Sequence, residues 1–226
     1  MFSYGNISGV PRDVILEDAN TVMREELAIK YRNGSYALGS NFFRYLMLQK
    51  LPYIWIDLDV LFLRKVETSS EYIFAWENEK YVNNAVFRAP SNSELLNNLI
   101  KLVFSEPLVA PWWDKDVKAQ QLALAKSDAA VPLSDLEWGT SGPKALTHFI
   151  KELGLVHTVA KKSTYYPIDW QDASLPFSPG VNCYELLDSD TIAVHLWNHL
   201  LGNLKDFPPR PNCFIFEKCQ EFGLIS

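Results

Sequence analysis

The segment Tyr53-Ile54-Trp55-Ile56-Asp57-Leu58-Asp59-Val60-Leu61-Phe62 constrains the fold more than any other stretch of the chain. Its first four residues form a nearly continuous apolar run. Such a run predicts a strand buried on both faces, as at the centre of an α/β sheet. The run ends at two aspartates spaced i and i+2, and on a strand that spacing turns both side chains to one face. Two carboxylates aimed in one direction at a buried strand end repel each other, and each is costly to desolvate. A divalent cation removes both costs, and hard oxygen ligands suit Mg²⁺ or Mn²⁺. Ligands of α/β sheets also gather at the carboxyl ends of strands. The plain alternative is a solvated Asp pair in a strand-to-loop turn.

The rest of the chain supports an α/β fold class. Val14 to Leu16 reads as a short strand, and Asp18 is placed to cap a helix running to about Tyr31. Asn33-Gly34 marks a turn. Ser40 or Asn41 can cap a second helix that ends before Pro52. Tyr72 to Trp76 and Asn84 to Arg88 read as strands. Ser91 to Phe104 and Lys115 to Lys126 read as helices, and a further helix opens at Ser141-Gly142-Pro143, where proline suits the first turn. Tyr165 to Ile168 and Thr191 to Leu196 read as late strands, and the chain from about residue 203 is a Pro-rich tail wrapping the surface. Helices alternating with apolar strands predict one three-layer α/β/α domain over residues 1–226.

Composition narrows the function. The chain has 226 residues, with 21 Lys plus Arg against 27 Asp plus Glu, a net charge of −6. That balance argues against nucleic acid as a partner, because backbone phosphates need clustered positive charge. A small anionic ligand needs a local cation. Three cysteines in no zinc-type spacing fit reduced thiols. No signal peptide opens the chain, and its apolar stretches are too short for a transmembrane segment. These features fit a cytoplasmic protein. Peripheral attachment at the inner membrane face is compatible with them, although no basic amphipathic helix signals it.

Several motifs stand in a set order around the Asp pair. Ser40-Asn41-Phe42-Phe43-Arg44-Tyr45 precedes it. Ala75-Trp76-Glu77-Asn78, Val82-Asn83-Asn84-Ala85-Val86-Phe87-Arg88-Ala89 and Gly139-Thr140-Ser141-Gly142-Pro143-Lys144-Ala145-Leu146-Thr147 follow it, and Ala193-Val194-His195-Leu196-Trp197-Asn198 closes the set. In this order the motifs resemble glycosyltransferase family 32, the DXD-containing family of α-1,4-galactosyltransferases and bacterial capsular or lipooligosaccharide transferases. The resemblance spans about Ser3 to Asn198.

The resemblance implies a GT-A-like nucleotide-diphospho-sugar transferase fold. It also implies transfer of a hexose from a nucleotide sugar, with UDP-hexose as the donor, to a glycan or glycolipid acceptor in polysaccharide biosynthesis. It implies retention of configuration and names no catalytic nucleophile. Asp57 and Asp59 match the metal-binding DXD positions, and His195 matches a late histidine that completes the metal shell; His199 is a second candidate for that role. The metal is Mn²⁺ or Mg²⁺, which stabilises the departing nucleoside diphosphate. Ser40, Asn41 and Arg44 match a donor-facing helix start, with Asn41 where the family carries Asp. Asn83 and Asn84 match an Asn pair beside the donor, where amides suit sugar hydroxyls. Gly142, Pro143, Glu137 and Trp138 fall on the acceptor side, where an aromatic face can pack on a sugar ring.

Phe2-Ser3-Tyr4-Gly5 resembles the end of an early family strand, so the first N-terminal strand of the fold is expected to be missing. That motivates one rival, a non-catalytic or truncated family member acting as a binding protein. The other rival is an aspartate-nucleophile phosphatase. It asks for Thr or Val where Leu61 stands.

Overall fold

The computed structural model describes residues 1–127 and 131–225. It is a mixed α/β fold with small sheets. In chain order come β1 (Phe2–Ser3), β2 (Glu17–Asp18), α1 (Ala37–Lys50), β3 (Trp55–Ile56), β4 (Val60–Phe62), β5 (Ile73–Trp76) and β6 (Val82–Arg88). There follow α2 (Glu94–Val103), α3 (Lys115–Ala125), α4 (Pro143–Glu152), α5 (Lys162–Tyr165), β7 (Ala193–His195) and α6 (Phe214–Glu221). Among the described residues no helix is long and apolar enough to cross a membrane. The chain divides into two compact units: Met1–Trp55 with Arg88–Thr158, and Ile56–Phe87 with Val159–Ser226.

The first unit is mainly helical. In α2, Leu95, Leu96, Leu99, Leu102 and Val103 recur at helical spacing and are all buried. The Ser93 side chain caps that helix by accepting from the Leu96 amide at 3.3 Å. Helix α1 packs on α2, and α2 packs on α4. Phe42, Tyr45, Leu146 and Ile150 are among the other buried side chains of this core. Each such large apolar side chain contributes about 1.5–3 kcal/mol through removal from water. Gly39 lets α1 pass the backbone of Ala28, since a Cβ there would lie 2.8 Å from the Ala28 carbonyl carbon. β1 and β2 pair in parallel.

The second unit carries a sheet ordered β3–β6–β5 and an antiparallel pair, β4 with β7. The register sets Val60 opposite His195, Leu61 opposite Val194 and Phe62 opposite Ala193. Helix α5 packs on β5 and β7. Ile168, Cys183, Val194 and Phe214 form a buried cluster, with Leu61, Leu63 and Leu175 among the side chains packed against it. Cys183 and Cys213 are buried free thiols.

Several elements differ from the sequence expectation. The central, doubly buried strand is β6, buried at Val82 through Phe87, whereas β3 lies at the end of the strand order and leaves Ile56 exposed. Residues 18–31 form two 3-10 turns in place of a helix. Local side chains compete there for the backbone: Thr21 Oγ1 donates to the Asp18 carbonyl, and Asn20 Oδ1 accepts from the Glu25 amide. Neither Ser40 nor Asn41 caps α1, which begins at Ala37. Val14 to Leu16 is not strand; the pairing falls just after it, at β2. Tyr165 closes α5 and does not open a strand. The Pro-rich tail carries a helix, α6, where no helix is expected from the sequence.

Candidate metal centre

β3 runs to Ile56, and the chain reverses before re-entering β4 at Val60. The Val60 amide donates to the Asp57 carbonyl at 3.1 Å, closing a tight turn over Asp57, Leu58 and Asp59. The Asp57 amide donates to the Ala85 carbonyl of β6 at 2.8 Å, so the turn is anchored in the sheet. The two carboxylates therefore converge through a turn, not through the alternation of one strand. Leu58 between them points outward and is 89% exposed.

The β4–β7 register then brings in the third group. With His195 opposite Val60, its ring lies beside Asp59. Nε2 of His195 stands 3.3 Å from Asp59 Oδ1. One ligand atom from each of Asp57, Asp59 and His195 can be chosen so that all lie within 4.8 Å of one another. The trio read from the sequence is thus assembled within one unit. His199 is not part of the group and lies on the exposed turn that follows Trp197.

Asp59 is held firmly. Its carbonyl accepts from the Leu196 amide at 2.8 Å, and its Oδ2 accepts from the Asn198 amide at 2.9 Å. Burial alone would raise its carboxyl, but the hydrogen bond and charge of His195, with the Asn198 amide, outweigh burial and lower it to about 2. Asp59 is therefore an anion at neutral pH.

Trp197 makes that geometry possible. It sits in the left-handed region at φ 51° and ψ 48°, uncommon for a bulky residue and costing about 1–3 kcal/mol. The twist aims the next amide, that of Asn198, at Asp59. Its indole Nε1 donates to the Ile168 carbonyl at 2.9 Å. The ring lies 4.1 Å from that of His195 between centroids, and the Tyr166 ring stands edge-on to His195 at 5.8 Å. Aromatic packing orients the imidazole, because its Nδ1 is buried without a hydrogen-bond partner among the described residues. Its Nε2 faces the Asp59 carboxylate. Two carboxylates and an imidazole form a donor set that could hold a divalent metal ion.

The Asn pair divides its work. Asn83 and Asn84 are adjacent and buried in β6, so their side chains leave opposite faces and cannot both address one ligand directly. Asn83 Oδ1 accepts from the Ala85 amide, and its Nδ2 donates to Glu77 Oε2, both at 2.7 Å. Burial raises the Glu77 carboxyl against the opposing pull of Asn83, and charge on His195 and Asp169 also acts on it. Glu77 and Trp197 bear on the site through their neighbours, and in the sequence only their place beside Asn78 and His195 points to them.

The other predicted residues lie in the first unit. Ser40 and Arg44 share a face of α1 as their spacing requires: Arg44 Nη2 donates to Ser40 Oγ at 3.2 Å and Nε to the Ser40 carbonyl at 3.3 Å. The guanidinium also lies over the Trp55 ring at 4.9 Å. Asn41 is buried and donates to Ser141 Oγ at 3.1 Å. Gly142 precedes α4, and Pro143 occupies its first turn. Gly142 packs so close to Asn41 that a Cβ would fall 2.9 Å from Nδ2. Glu137 is exposed and ion-pairs with Lys144. Trp138 stacks on Tyr31. No protein-family model, no curated protein and no solved structure matches this chain.

Proposed function

We propose that the chain is a metal-dependent hexosyltransferase of GT-A type. It takes a hexose from a nucleotide-diphosphate sugar, UDP-hexose foremost, and passes it to a glycan or glycolipid acceptor with retention. The convergence of Asp57, Asp59 and His195 carries this reading. The ordered motifs from Ser40 to Asn198 add to it. A cytoplasmic place of action, with glycolipid reached at the inner membrane face, goes with the same reading.

When bound, Mn²⁺ or Mg²⁺ supplies Lewis-acid charge to a diphosphate leaving group. The chain's residues prepare the site for it. Asp59 is kept ionised and oriented by the Asn198 amide. Asp57 is anchored through its amide to β6. Packing by Trp197 and Tyr166 holds the His195 ring. Ligands placed beforehand need no reorganisation during the reaction. A fixed divalent charge also explains how a chain of net charge −6 would hold an anionic donor.

The test is a panel of nucleotide sugars incubated with the protein, with Mn²⁺ and with chelator. The expected result is slow, Mn²⁺-dependent release of nucleoside diphosphate from one donor, abolished by chelation. Absence of release from every donor with metal present contradicts the reading. Calorimetry of UDP with Mn²⁺ then separates a binding protein from one that ignores nucleotides.

A further inference from the structure

We propose that Cys183 and Cys213 are a reversible dithiol–disulfide pair, oxidised by a hydroperoxide, whose bridge ties α6 to the turn at Cys183–Leu186 within the second unit. Neither thiol belongs to the metal centre, and the pair stands whether or not the chain transfers sugars.

Contacts on both sides of the cysteines bring their segments together. The Gly180 amide donates to the Asn212 carbonyl at 2.8 Å, one residue before Cys213. One residue after each cysteine, the Tyr184 and Phe214 rings meet edge-on with centroids 5.2 Å apart. Lys218, further along α6, also lies over the Tyr184 ring at 5.3 Å. The pair is thus bracketed by a backbone bond and by ring contacts. Both cysteines are fully buried, and Cys183 shares a core cluster with Phe214. Burial raises the Cys183 thiol above its ordinary value, and charge on Cys213 and Glu217 adds to that rise, so the two sulfurs act on one another. They do not form a three-ligand metal site: among the described residues only Asp57, Asp59 and His195 do. Two neighbouring sulfurs without a third ligand suit a covalent pair.

The surroundings set the order of events. Cys213 Sγ accepts from the Phe216 amide at 3.4 Å and caps α6, which holds that sulfur in place. Of the α6 residues only Phe214 is buried. A helix with so little buried apolar contact opens locally at low cost, and opening admits a peroxide that the closed cluster excludes. The Cys213 thiolate then attacks a peroxide oxygen: the S–O bond forms, the O–O bond breaks, and the departing oxygen takes a proton. On reclosing, Cys183 attacks the sulfenic sulfur of Cys213. The S–S bond forms, the S–O bond breaks, and the Cys183 proton leaves with the oxygen as water. The two thiols together lose two electrons and two protons, and hydrogen peroxide becomes two waters. The bridge closes a loop that contains β7, His195 and the left-handed Trp197. Closing a loop restrains the unfolded chain, so the oxidised form is the more stable one.

The experiment treats the reduced whole chain with hydrogen peroxide, blocks the remaining thiols with iodoacetamide in denaturant, and maps the peptides by mass spectrometry. The expected result is a linked Cys183–Cys213 peptide that dithiothreitol removes, with a melting temperature raised by about 5 °C or more in the oxidised form. Cys219 is only partly buried and serves as the internal control. Cys219→Ser should leave the linked peptide and the shift unchanged. Cys213→Ser keeps a hydroxyl to cap α6 and should lose both, and Cys183→Ala should lose both as a second variant, with circular dichroism confirming that each is folded. The proposal is overturned if peroxide modifies Cys219 and leaves no Cys183–Cys213 link, if the link forms only in denaturant, or if the linked protein melts no higher than the reduced one.

Discussion

Two polar clusters that look alike in sequence are put to different uses. At the start of α1, Arg44 bonds to Ser40 and lies over Trp55, while Asn41 bonds to Ser141. Those groups are satisfied by neighbours within their own unit, and their geometry ties α1 to the entry of α4. At the β3–β4 turn, Asp57, Asp59 and His195 converge on a shared point. Two of the three are carboxylates, so the cluster carries electrostatic cost unless a cation joins it. A satisfied cluster stabilises the fold. A converging one of mainly like charge is a candidate for holding a cation.

Breaking that comparison means changing one cluster and reading the other. The largest effect is expected at His195. His195→Ala should lower Mn²⁺ affinity at least about 100-fold, since even outer-shell partners of metal ligands are worth about 10–100-fold. Circular dichroism should show the domain still folded.

Next come the close packings around α1. Gly39→Ala sets a methyl against the Ala28 backbone, and Gly142→Ala displaces Asn41 from Ser141. Each should destabilise by about 1–3 kcal/mol, at Gly39 in spite of alanine's better helix propensity and at Gly142 with the added loss of a favoured N-cap residue. Thermal melts should fall by about 2–4 °C per kcal/mol, while Mn²⁺ affinity stays at the wild-type value. A loss of metal binding in either variant would erase the distinction between the clusters.

Trp197→Phe removes the hydrogen bond to Ile168 and keeps a ring beside His195. About 1 kcal/mol of stability should be lost. Calorimetry should also show a severalfold fall in Mn²⁺ affinity, because the twist at residue 197 aims the Asn198 amide at Asp59.

The smallest effect is expected at Glu77. Burial, partly offset by Asn83, raises its folded pKa above the unfolded value. Its contribution to stability is therefore complete below the unfolded pKa and is lost as pH rises through the raised folded value. Glu77→Gln keeps an acceptor for Asn83 without the charge. Urea melts across that pH window should show a flatter profile for the variant and equal or greater stability above it.

The helices with explicit start signals were legible in the sequence. The Ser/Asn start at Ser91, two residues before the actual cap at Ser93, and Gly142-Pro143 before α4 mark their elements to within a few residues. Helix α6 escaped because Cys213, not a usual capping residue, takes the cap position and prolines precede it. The apolar run at Tyr53–Ile56 misled for another reason. Periodicity reports apolar content, but neighbours in the sheet decide burial, and β6 takes the centre. At the site, residue types and order pointed to Asp57, Asp59 and His195. The means of convergence did not show, because a four-residue turn and a strand can place i and i+2 side chains alike. The left-handed Trp197 was also invisible, since tertiary contacts hold it there.

Asp57, Asp59 and His195 are proposed to hold a divalent metal. Titration of Mn²⁺ into the wild-type protein and into Asp59→Ala, followed by electron paramagnetic resonance of free Mn²⁺, tests it most directly. One saturable site is expected in the wild type and none in the folded variant. Equal binding by both proteins, or no saturable site in the wild type, would contradict it.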